Sequence, residues 1–187
     1  MRIISGKFKG KTIDFLKSTT TRPLKDSVKE SIFNVIAHSN LLNVRLEGSN
    51  ILDLYSGIGS FGLECISRGA KKITFVEKDL EAVKILNINL INLSIEHQAL
   101  IVTNKISNFL ETNQDSKFEI IFLDPPFAEN DCIQDLKLIY KKKIYADNHL
   151  IVLHRERRTS DNYGNIFKPL ITKEFGRSKI IFGNFLD

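Results

Sequence analysis

Residues 50–62 read NILDLYSGIGSFG, and this stretch decides the fold. Its first five residues form a largely apolar run that predicts a buried strand. Glycines at positions 57, 59 and 62 then predict a tight turn that leads into a helix. A strand, a glycine-rich turn and a helix start favour ligand binding, because the turn lets a ligand approach the backbone and the helix amides. Since this glycine spacing alone is a weak signal, the surrounding residues have to identify the ligand.

Strands and helices alternate along the chain after this point. Periodicity places strands near 50–54, 73–76, 99–103, 118–123 and 149–154, and helices near 60–68, 80–92, 105–112 and 131–141. Two further strands are predicted at roughly 165–172 and 178–185. The pattern predicts an α/β fold, with a mostly parallel seven-stranded sheet, helices on both faces and a final antiparallel hairpin.

Residues 1–40 are predicted to form a small extension ahead of the main domain, which covers 41–187. Residues 2–16 alternate apolar and polar side chains around Gly6 and Gly10, which indicates a β-hairpin or short strands with turns. A threonine-rich loop follows. Helical spacing of apolar residues then predicts a helix over 26–38, with the charge of Asp26 near its start.

The net charge of +5 is concentrated in residues 1–30, which hold eight basic and three acidic residues. A basic segment on a neutral body is typical of a nucleic-acid binder, because each neutralised phosphate releases counterions. The candidate RNA-binding residues are Arg2, Lys7, Lys9, Lys11, Arg22 and Lys25. The alternative is a lysine-rich hairpin that is simply solvated. The smaller basic clusters at 141–143 and 155–158 are expected to be ordinary solvated surface.

Composition argues against several classes of protein. No apolar stretch approaches the roughly 20 residues of a membrane span, and the amino terminus lacks the apolar centre of a signal peptide, so we expect a cytoplasmic protein. Cys65 and Cys132 have no paired spacing and no histidine cluster beside them, which argues against a disulfide or a zinc site. Cys65 is expected to be a small buried thiol. No metal site is predicted, and the four histidines are too scattered to suggest a catalytic triad.

The residues Asp124, Pro125, Pro126 and Phe127 follow the apolar run Ile120–Leu123, which reads as a buried strand. Two prolines end the strand and remove two backbone donors, leaving a rigid rim with a carboxylate, acceptor carbonyls and an aromatic ring. Such a rim suits a planar group with an NH2, such as a nucleobase: Asp124 and the Pro125 carbonyl accept its hydrogens while Phe127 stacks on the ring. The alternative is a strand-terminating turn with a packed phenylalanine.

Glu77 ends the predicted second strand, 20 residues after Gly57, where its two oxygens can bind two ribose hydroxyls. This spacing indicates an adenosine-containing cofactor. Asp53, expected at the mouth of the glycine turn, would repel a pyrophosphate and attract a sulfonium and an amino group, which favours S-adenosylmethionine over NAD. The candidate cofactor-binding residues here are Asp53, Tyr55, Ser56, Gly57, Gly59, Glu77 and Lys78. The alternative is a tight turn beside a solvated Glu77.

The two predicted sites should meet, because strand order reverses beside the first strand in doubly wound sheets and ligands bind at that point. Methyl transfer to an amine fits this arrangement, since it requires in-line placement more than acid-base chemistry. Asp124 would hold the amine and favour the charge that develops on it.

These residues resemble class I methyltransferases that act on amino nitrogens, and more closely the RsmD family of bacterial 16S rRNA guanine-N2 methyltransferases. The resemblance is carried by Arg2 with Ser5-Gly6-Lys7 and Gly10-Lys11, Thr21-Arg22-Pro23, Lys29 to Asn34, Leu52 to Gly57, Ser67 to Ala70, Phe75 to Asp79 and Leu123 to Phe127. It implies a Rossmann-like methyltransferase domain and methylation of guanine 966 within the small ribosomal subunit or its assembly intermediate, by an expected monomer. It also implies that the basic segment grips RNA, that Arg22 contacts cofactor or RNA, and that Asn104 lies near the adenine.

The chain departs from the family pattern at two places. Leu24 follows Arg22-Pro23 where the family often has threonine, and Asn104-Lys105 stands where an acidic residue is usual. Three rival functions share part of the pattern: a DNA adenine-N6 methyltransferase, an NAD-dependent reductase and a non-catalytic RNA-binding factor. About 40 residues after the catalytic fold leave little room for a DNA-recognition domain. Asp53 and the two prolines argue against the reductase, while Asp53, Glu77 and Asp124 argue against the non-catalytic factor.

Overall fold

The fold was established from a computed structural model, which describes residues 1–15, 24–113, 116–126 and 131–186. The helices in this part of the chain are α1 Asp26–His38, α2 Ser60–Ser67, α3 Leu80–Leu93, α4 Ile106–Thr112 and α5 Cys132–Lys142, with a 3₁₀ turn at Glu96–Gln98. The strands are β1 Asn50–Leu54, β2 Lys72–Glu77, β3 Ala99–Thr103, β4 Phe118–Leu123, β5 Tyr145–Glu156, β6 Phe167–Phe175 and β7 Ser178–Phe185. No described helix has both the length and the apolar character needed to cross a membrane.

All seven strands form one sheet in the order β3-β2-β1-β4-β5-β7-β6. The first five in this order run parallel, while β7 pairs antiparallel with both β5 and β6. Buried side chains alternate between the two faces of the strands, so each face has its own core. Helices α1, α2 and α3 pack on one face and α4 and α5 on the other. The predicted fold class, a class I methyltransferase fold with a closing hairpin, is confirmed.

Strand β5 begins four residues earlier than the sequence indicated. Tyr145 pairs with Phe118, whereas the next aligned pair is Ile120 with Leu150, so an irregularity separates the two pairs. Asp147 and Asn148 in between are polar and exposed, and they read as loop residues. The early start was missed because backbone pairing at an irregular register leaves no apolar alternation in the sequence.

The amino-terminal segment, residues 1–15, is less regular than the predicted hairpin. Arg2 and Thr12 form an antiparallel bridge, and on either side of it the Ile3 amide donates to the Lys11 carbonyl and the Ile13 amide to the Met1 carbonyl, at 2.9 Å each. The amides of Ile4 and Ser5 donate to the Glu64 carboxylate of α2, at 2.8 and 2.9 Å. The predicted hairpin is thus present as a short pairing of residues 1–3 with 11–13, and the chain between them is held by α2. Gly6 is needed here, since its φ is +81° and a Cβ would lie 1.9 Å from the Ser67 carbonyl oxygen.

Residues 1–15 and α1 share one apolar core with the sheet. Ile3, Phe8 and Ile13 belong to the same buried cluster as strand residues of β1, β2 and β4. Phe33 of α1, Phe61 of α2 and Phe122 of β4 stack in series, with ring centroids 5.4 and 4.1 Å apart. The division at residue 40 stays a prediction. These contacts nevertheless fix residues 1–15 and α1 against the sheet.

Glu64 is the centre of a buried charged cluster between the amino-terminal segment, α1 and α2. Its carboxylate also accepts from Arg68 Nε at 2.8 Å and lies 4.0 Å from Lys29 Nζ. Lys29 donates to the Arg2 carbonyl at 2.9 Å, and the side chains of both Lys29 and Glu64 are fully buried. Burial lowers the pKa of Lys29, against the opposing effects of Glu64 and Asp26. Every polar atom named here has a partner, as buried charges require.

We predict that Glu64→Ala lowers the free energy of unfolding by about 3–5 kcal/mol, because it leaves the buried Lys29 with only the partly exposed Asp26 as an acidic partner and removes the acceptor of two backbone amides. Urea unfolding followed by circular dichroism measures the change. Glu81→Ala is the matched control. Glu81 likewise pairs with a lysine, but this is Lys84 of the same helix and both side chains are exposed. Its loss should cost less than about 1 kcal/mol. Equal changes in the two variants would show that the buried cluster does not anchor the segment.

Candidate active site

Strands β1 and β4 end at one edge of the sheet, where Glu77 is the last residue of β2 and His154 lies near the end of β5. Leu54 is aligned with Val76 on one side and Leu123 on the other, and Leu123 is aligned with Leu153. The next residues along these strands are Tyr55, Glu77, Asp124 and His154. The predicted cofactor and acceptor sites are thus neighbours, as the reversal of strand order required.

The glycine turn has the backbone shape that the sequence predicted. Gly57 and Gly59 have φ values of +53° and +83°, and the Gly59 amide donates to the Ser56 carbonyl at 2.8 Å. At Gly59 a Cβ would lie 2.4 Å from a methyl carbon of Leu86, so a side chain is excluded by packing as well as by φ. Above Gly57 the described residues leave open space, since none has an atom within 4 Å of a Cβ placed there. The turn is therefore tightly packed at Gly59 and accessible at Gly57.

Glu77 is tied to the glycine turn. One carboxylate oxygen accepts from the Gly57 amide at 2.8 Å, and the other accepts from the amides of Lys78 and Asp79, also at 2.8 Å. The residues that the sequence placed 20 positions apart are thus in direct contact. Because a carboxylate has about four acceptor positions, these three bonds leave Glu77 about one position for a further donor.

Asp53 lies deeper than the mouth of the turn, where it was expected. Its side chain is buried, and one carboxylate oxygen accepts from the Gly62 amide in the first turn of α2, at 3.0 Å. Burial raises the pKa of Asp53 well above its ordinary value, and Asp124 and Glu77 raise it further, while the Gly62 hydrogen bond opposes them. Through the hydrogen bond to Gly62, Asp53 supports the glycine turn from inside the protein.

Asp124 stands at the open edge of the site. Its amide donates to the Leu54 carbonyl at 3.4 Å, which joins it to the strand that leads into the glycine turn. Its Oδ1 lies 2.7 Å from His154 Nδ1, and the Asp124 side chain keeps a quarter of its surface exposed. Pro125 is buried and Pro126 is exposed. Phe127, the predicted stacking residue, lies outside the described residues.

Sequence reasoning missed His154 as a partner of Asp124. The signal was available only in part: Asp124 follows one predicted strand and His154 is the last residue of another, but the register that aligns Leu123 with Leu153 is a tertiary property. Asp135 of α5 was missed as well. It is buried and accepts from the Tyr55 hydroxyl at 2.5 Å, which orients the tyrosine beside the turn.

A cavity of about 560 Å³ opens beside Glu77, a volume in the range of small-molecule sites. Of the predicted cofactor-binding residues it is lined by Tyr55, Glu77, Lys78 and Asn104. The remaining wall comes from α4 and α5, including Ile106, Gln134 and Leu138. Asp53, Ser56, Gly57 and Gly59 are not part of its lining, although Gly57 reaches it through the hydrogen bond to Glu77.

The described residues fit S-adenosylmethionine. The carboxylates of Glu77 and Asp124 flank the turn and suit a ligand with a sulfonium and an ammonium, whereas burial disfavours the charge that Asp53 was expected to contribute. The buried hydroxyl of Ser56 has no hydrogen-bond partner among these residues, so it is available to a ligand at the turn. A half-polar cavity with a carboxylate at its entrance also suits a nucleoside. No cluster of three metal-ligating side chains occurs in the described ranges.

The chain that carries the first predicted RNA-binding residues, residues 1–7, runs along α2. Arg2, Lys7, Lys9, Lys11 and Lys25 are all exposed, while Arg22 lies outside the described residues. The Ser60 hydroxyl contacts Met1 Sδ at the start of α2, whereas the Lys7 amide donates to the Ser67 carbonyl at its end. Eight helical residues span about 12 Å, so Lys7 and Lys9 lie a helix length away from the catalytic edge.

One basic residue that the sequence assigned to solvated surface is buried. Arg155 is only 3% exposed, and its Nε and Nη2 donate to the two carboxylate oxygens of Asp161, at 2.9 Å each. That expectation was wrong because the acidic partner lies on a loop six residues away, which a local charge run does not reveal. The expected buried thiol at Cys65 is confirmed.

Comparison with known proteins places the chain in a family. A family described as conserved hypothetical protein 95 matches residues 1–184. Ribosomal RNA small subunit methyltransferase D of Haemophilus influenzae is 36% identical over 176 residues, covering 93% of this chain and 83% of that protein. Its namesake in Escherichia coli K12 is 30% identical over 156 residues, covering 83% and 75%. The chain belongs to the RsmD family. It is a SAM-dependent methyltransferase.

Solved structures show the same architecture. The protein yhhF of Escherichia coli superposes with a TM-score of 0.86 at 26% identity, covering 99% of this chain and 97% of that one. SMU.776, described by its title as complexed with SAH, superposes with a TM-score of 0.63 over 84% of this chain and 49% of its own. At 17% identity this second likeness concerns the fold.

The buried carboxyl of Asp53 makes a prediction about stability and pH. In the unfolded chain this group ionises near its ordinary pKa of about 3.9, whereas the raised pKa keeps it protonated to higher pH in the folded chain. Between the two values the folded state binds more protons, so this group lowers stability as pH rises. Asp53→Asn removes the effect, and its stability relative to the natural chain should increase from about pH 4 upward.

Urea unfolding of both chains across this pH range measures the difference. Asp147→Asn, on an exposed residue of β5, controls for the loss of one negative charge. A difference between Asp53→Asn and the natural chain that does not change with pH would contradict the assignment of a buried, protonated Asp53.

Proposed function

We propose that this chain methylates the exocyclic N2 amine of guanine 966 in 16S rRNA, within the small ribosomal subunit or its assembly intermediate. The observation that carries the proposal is the position of Asp124, hydrogen-bonded through its backbone to Leu54 and so held one strand away from the glycine turn. The relatives named as ribosomal RNA small subunit methyltransferase D support the rRNA substrate.

The chemistry assigned to the chain is placement of the amine. S-adenosylmethionine, when bound, supplies a methyl group that its sulfonium already activates. Asp124 Oδ1 is engaged by His154, which leaves Oδ2 to accept a hydrogen from the guanine N2 amine. An acceptor held in this way favours the positive charge that develops on the nitrogen as the new bond forms. The Pro125 carbonyl is the second candidate acceptor for the NH2 group.

The cofactor is assigned to the glycine turn and the cavity beside it. Glu77 would accept from a ribose hydroxyl at its remaining acceptor position, while Asn104 and Lys78 line the cavity that would hold the adenine. Asp53 supports the turn, and Ser56, Gly57 and Gly59 form it. Phe127 and Arg22 keep their proposed roles, stacking on the base and contacting cofactor or RNA, as predictions from the sequence.

The partner is assigned from charge and family together. The exposed basic residues Arg2, Lys7, Lys9, Lys11 and Lys25 would contact RNA phosphates, whose affinity would then depend on salt. A monomer acting in the cytoplasm is the expected form. The alternative acceptor is the N6 amine of adenine in DNA, because Asp124 and the two prolines would hold that amine by the same hydrogen bonds.

Incubation with labelled S-adenosylmethionine tests the proposal directly. Undermethylated small subunits, naked 16S rRNA and DNA serve as separate substrates, and the products are digested to nucleosides. N2-methylguanosine from 16S rRNA, mapped to position 966, is the expected product. N6-methyladenine from DNA, or label at another rRNA position, would overturn the assignment of the acceptor.

Two substitutions should separate transfer from cofactor binding. Asp124→Ala is expected to abolish transfer while leaving the dissociation constant for S-adenosylmethionine nearly unchanged, because the residue holds the acceptor. Glu77→Ala is expected to weaken cofactor binding by about 1.5–3 kcal/mol, the range of a hydrogen bond to a charged group. Calorimetry and single-turnover transfer measure the two effects, with the surface variant Glu81→Ala as control. Wild-type turnover in Asp124→Ala would contradict the amine-holding role.

A further inference from the structure

Three arginines from two separate loops come together beyond the catalytic edge of the sheet. Arg157 and Arg158 follow the end of β5, and Arg177 lies in the turn between β6 and β7. The Arg157 amide donates to the Arg177 carbonyl at 2.9 Å, which joins the two loops. We call Arg157, Arg158 and Arg177 the arginine rim. All three are exposed.

The rim lies close to Asp124. Strand β5 continues past the end of β4, since Leu153 is the last residue aligned with β4 while Glu156 is still paired with Ser178. His154, which contacts Asp124, is three residues before Arg157, so about 10 Å of extended chain separates them. An RNA strand that delivers a base to Asp124 has its neighbouring phosphates within that reach.

The loop that carries the rim is held in place from inside the protein. The bidentate pair between Arg155 and Asp161 is 4% exposed on both sides, and the Tyr163 hydroxyl also donates to Asp161. Lys179 of β7 donates to the Thr159 carbonyl. A buried ion pair adds little net stability, so its effect here is to fix the position of the loop. Arginines on a fixed loop lose less freedom on binding than arginines on a free one.

The charges of the rim are available to a ligand. Arg157 pairs with Glu174 at 2.9 Å, but both side chains are about half exposed. Arg158 and Arg177 form no ion pair with any residue that the structure describes. The neighbouring site carries the carboxylates of Glu77 and Asp124, at the ends of the two strands that flank β1. A polyanion can approach such a site only where basic groups flank it. Lys7 and Lys9 do not flank the site, because they lie at the far end of α2.

We propose that the arginine rim binds the phosphates of the rRNA strand that flank the target guanine. This inference rests on the proposed function and adds to it a phosphate-binding surface next to Asp124. Arginine suits the role because its planar guanidinium forms paired hydrogen bonds with a phosphate. The basic amino-terminal segment would then contact a more distant part of the same RNA.

Three variants that each remove three positive charges test the rim. The first is Arg157→Gln with Arg158→Gln and Arg177→Gln, and the second is Lys7→Gln with Lys9→Gln and Lys11→Gln. The control is Lys71→Gln with Lys72→Gln and Lys117→Gln, at exposed positions where β2 and β4 begin, on the opposite edge of the sheet. Binding of naked 16S rRNA is measured over a range of KCl concentrations, and methyl transfer is measured on undermethylated small subunits.

The rim variant is expected to flatten the slope of log affinity against log salt by about 2, since each single-strand phosphate contact contributes about 0.7. Its KM for the subunit should rise about tenfold or more, while its dissociation constant for S-adenosylmethionine stays unchanged. The control variant should keep the natural slope. The inference would be overturned if the rim variant had the slope and KM of the control variant. It would also be overturned if the rim and control variants lost RNA affinity and methyl transfer equally.

A second variant keeps the test valid if the triple substitution disturbs folding. Arg158→Gln with Arg177→Gln breaks no described ion pair and should still flatten the slope by more than half of the triple variant's change. Failure of the proposed function has a different signature. It would appear as no methyl transfer to any rRNA by the natural chain, whereas failure of the rim would appear as transfer and salt dependence that the substitutions leave intact.

Discussion

Strand β1 is hydrogen-bonded on both sides to parallel strands, to β2 on one side and to β4 on the other. The chain after β1 therefore emerges between the ends of these two strands. Its glycine turn lies against Glu77 from β2, and Asp124 from β4 is joined to Leu54. Without this double pairing, a cofactor site and an acceptor site would exist on one chain but at separate places. The other features of the site depend on it.

A second constraint acts on the face that carries α1, α2 and α3. Glu64 is buried in α2 and accepts from the amides of Ile4 and Ser5, which turns a short basic segment into part of the core. Arg155 and Asp161 do the same for the loop after β5. In both places a buried charge holds irregular backbone against the sheet. Exposed basic residues on either side of the acidic site are thereby presented in fixed positions, which suits a polyanionic substrate.

Much of this arrangement could be predicted from local patterns. The apolar run before Tyr55, the glycines of the turn and the 20-residue spacing to Glu77 are signals that a single stretch of chain carries. So is the run of Asp124 with two prolines after an apolar strand. The start of β5 was predicted wrongly, because an irregular register hides it. His154 and Asp135 were missed because their partners, Asp124 and Tyr55, lie 30 and 80 residues away in the chain.

The amino-acid sequence alone was enough to establish the class of fold, the family and the two motifs that follow the neighbouring strands β1 and β4. Local periodicity, turn chemistry and the spacing of a carboxylate after a glycine turn depend only on neighbouring residues, so they can be read without a structure. Only the tertiary structure decided how deep Asp53 lies, that His154 engages Asp124, and that Arg157 and Arg177 meet while Arg155 is buried. Burial and strand register arise from contacts between distant segments, and charge type alone does not distinguish a buried arginine from an exposed one.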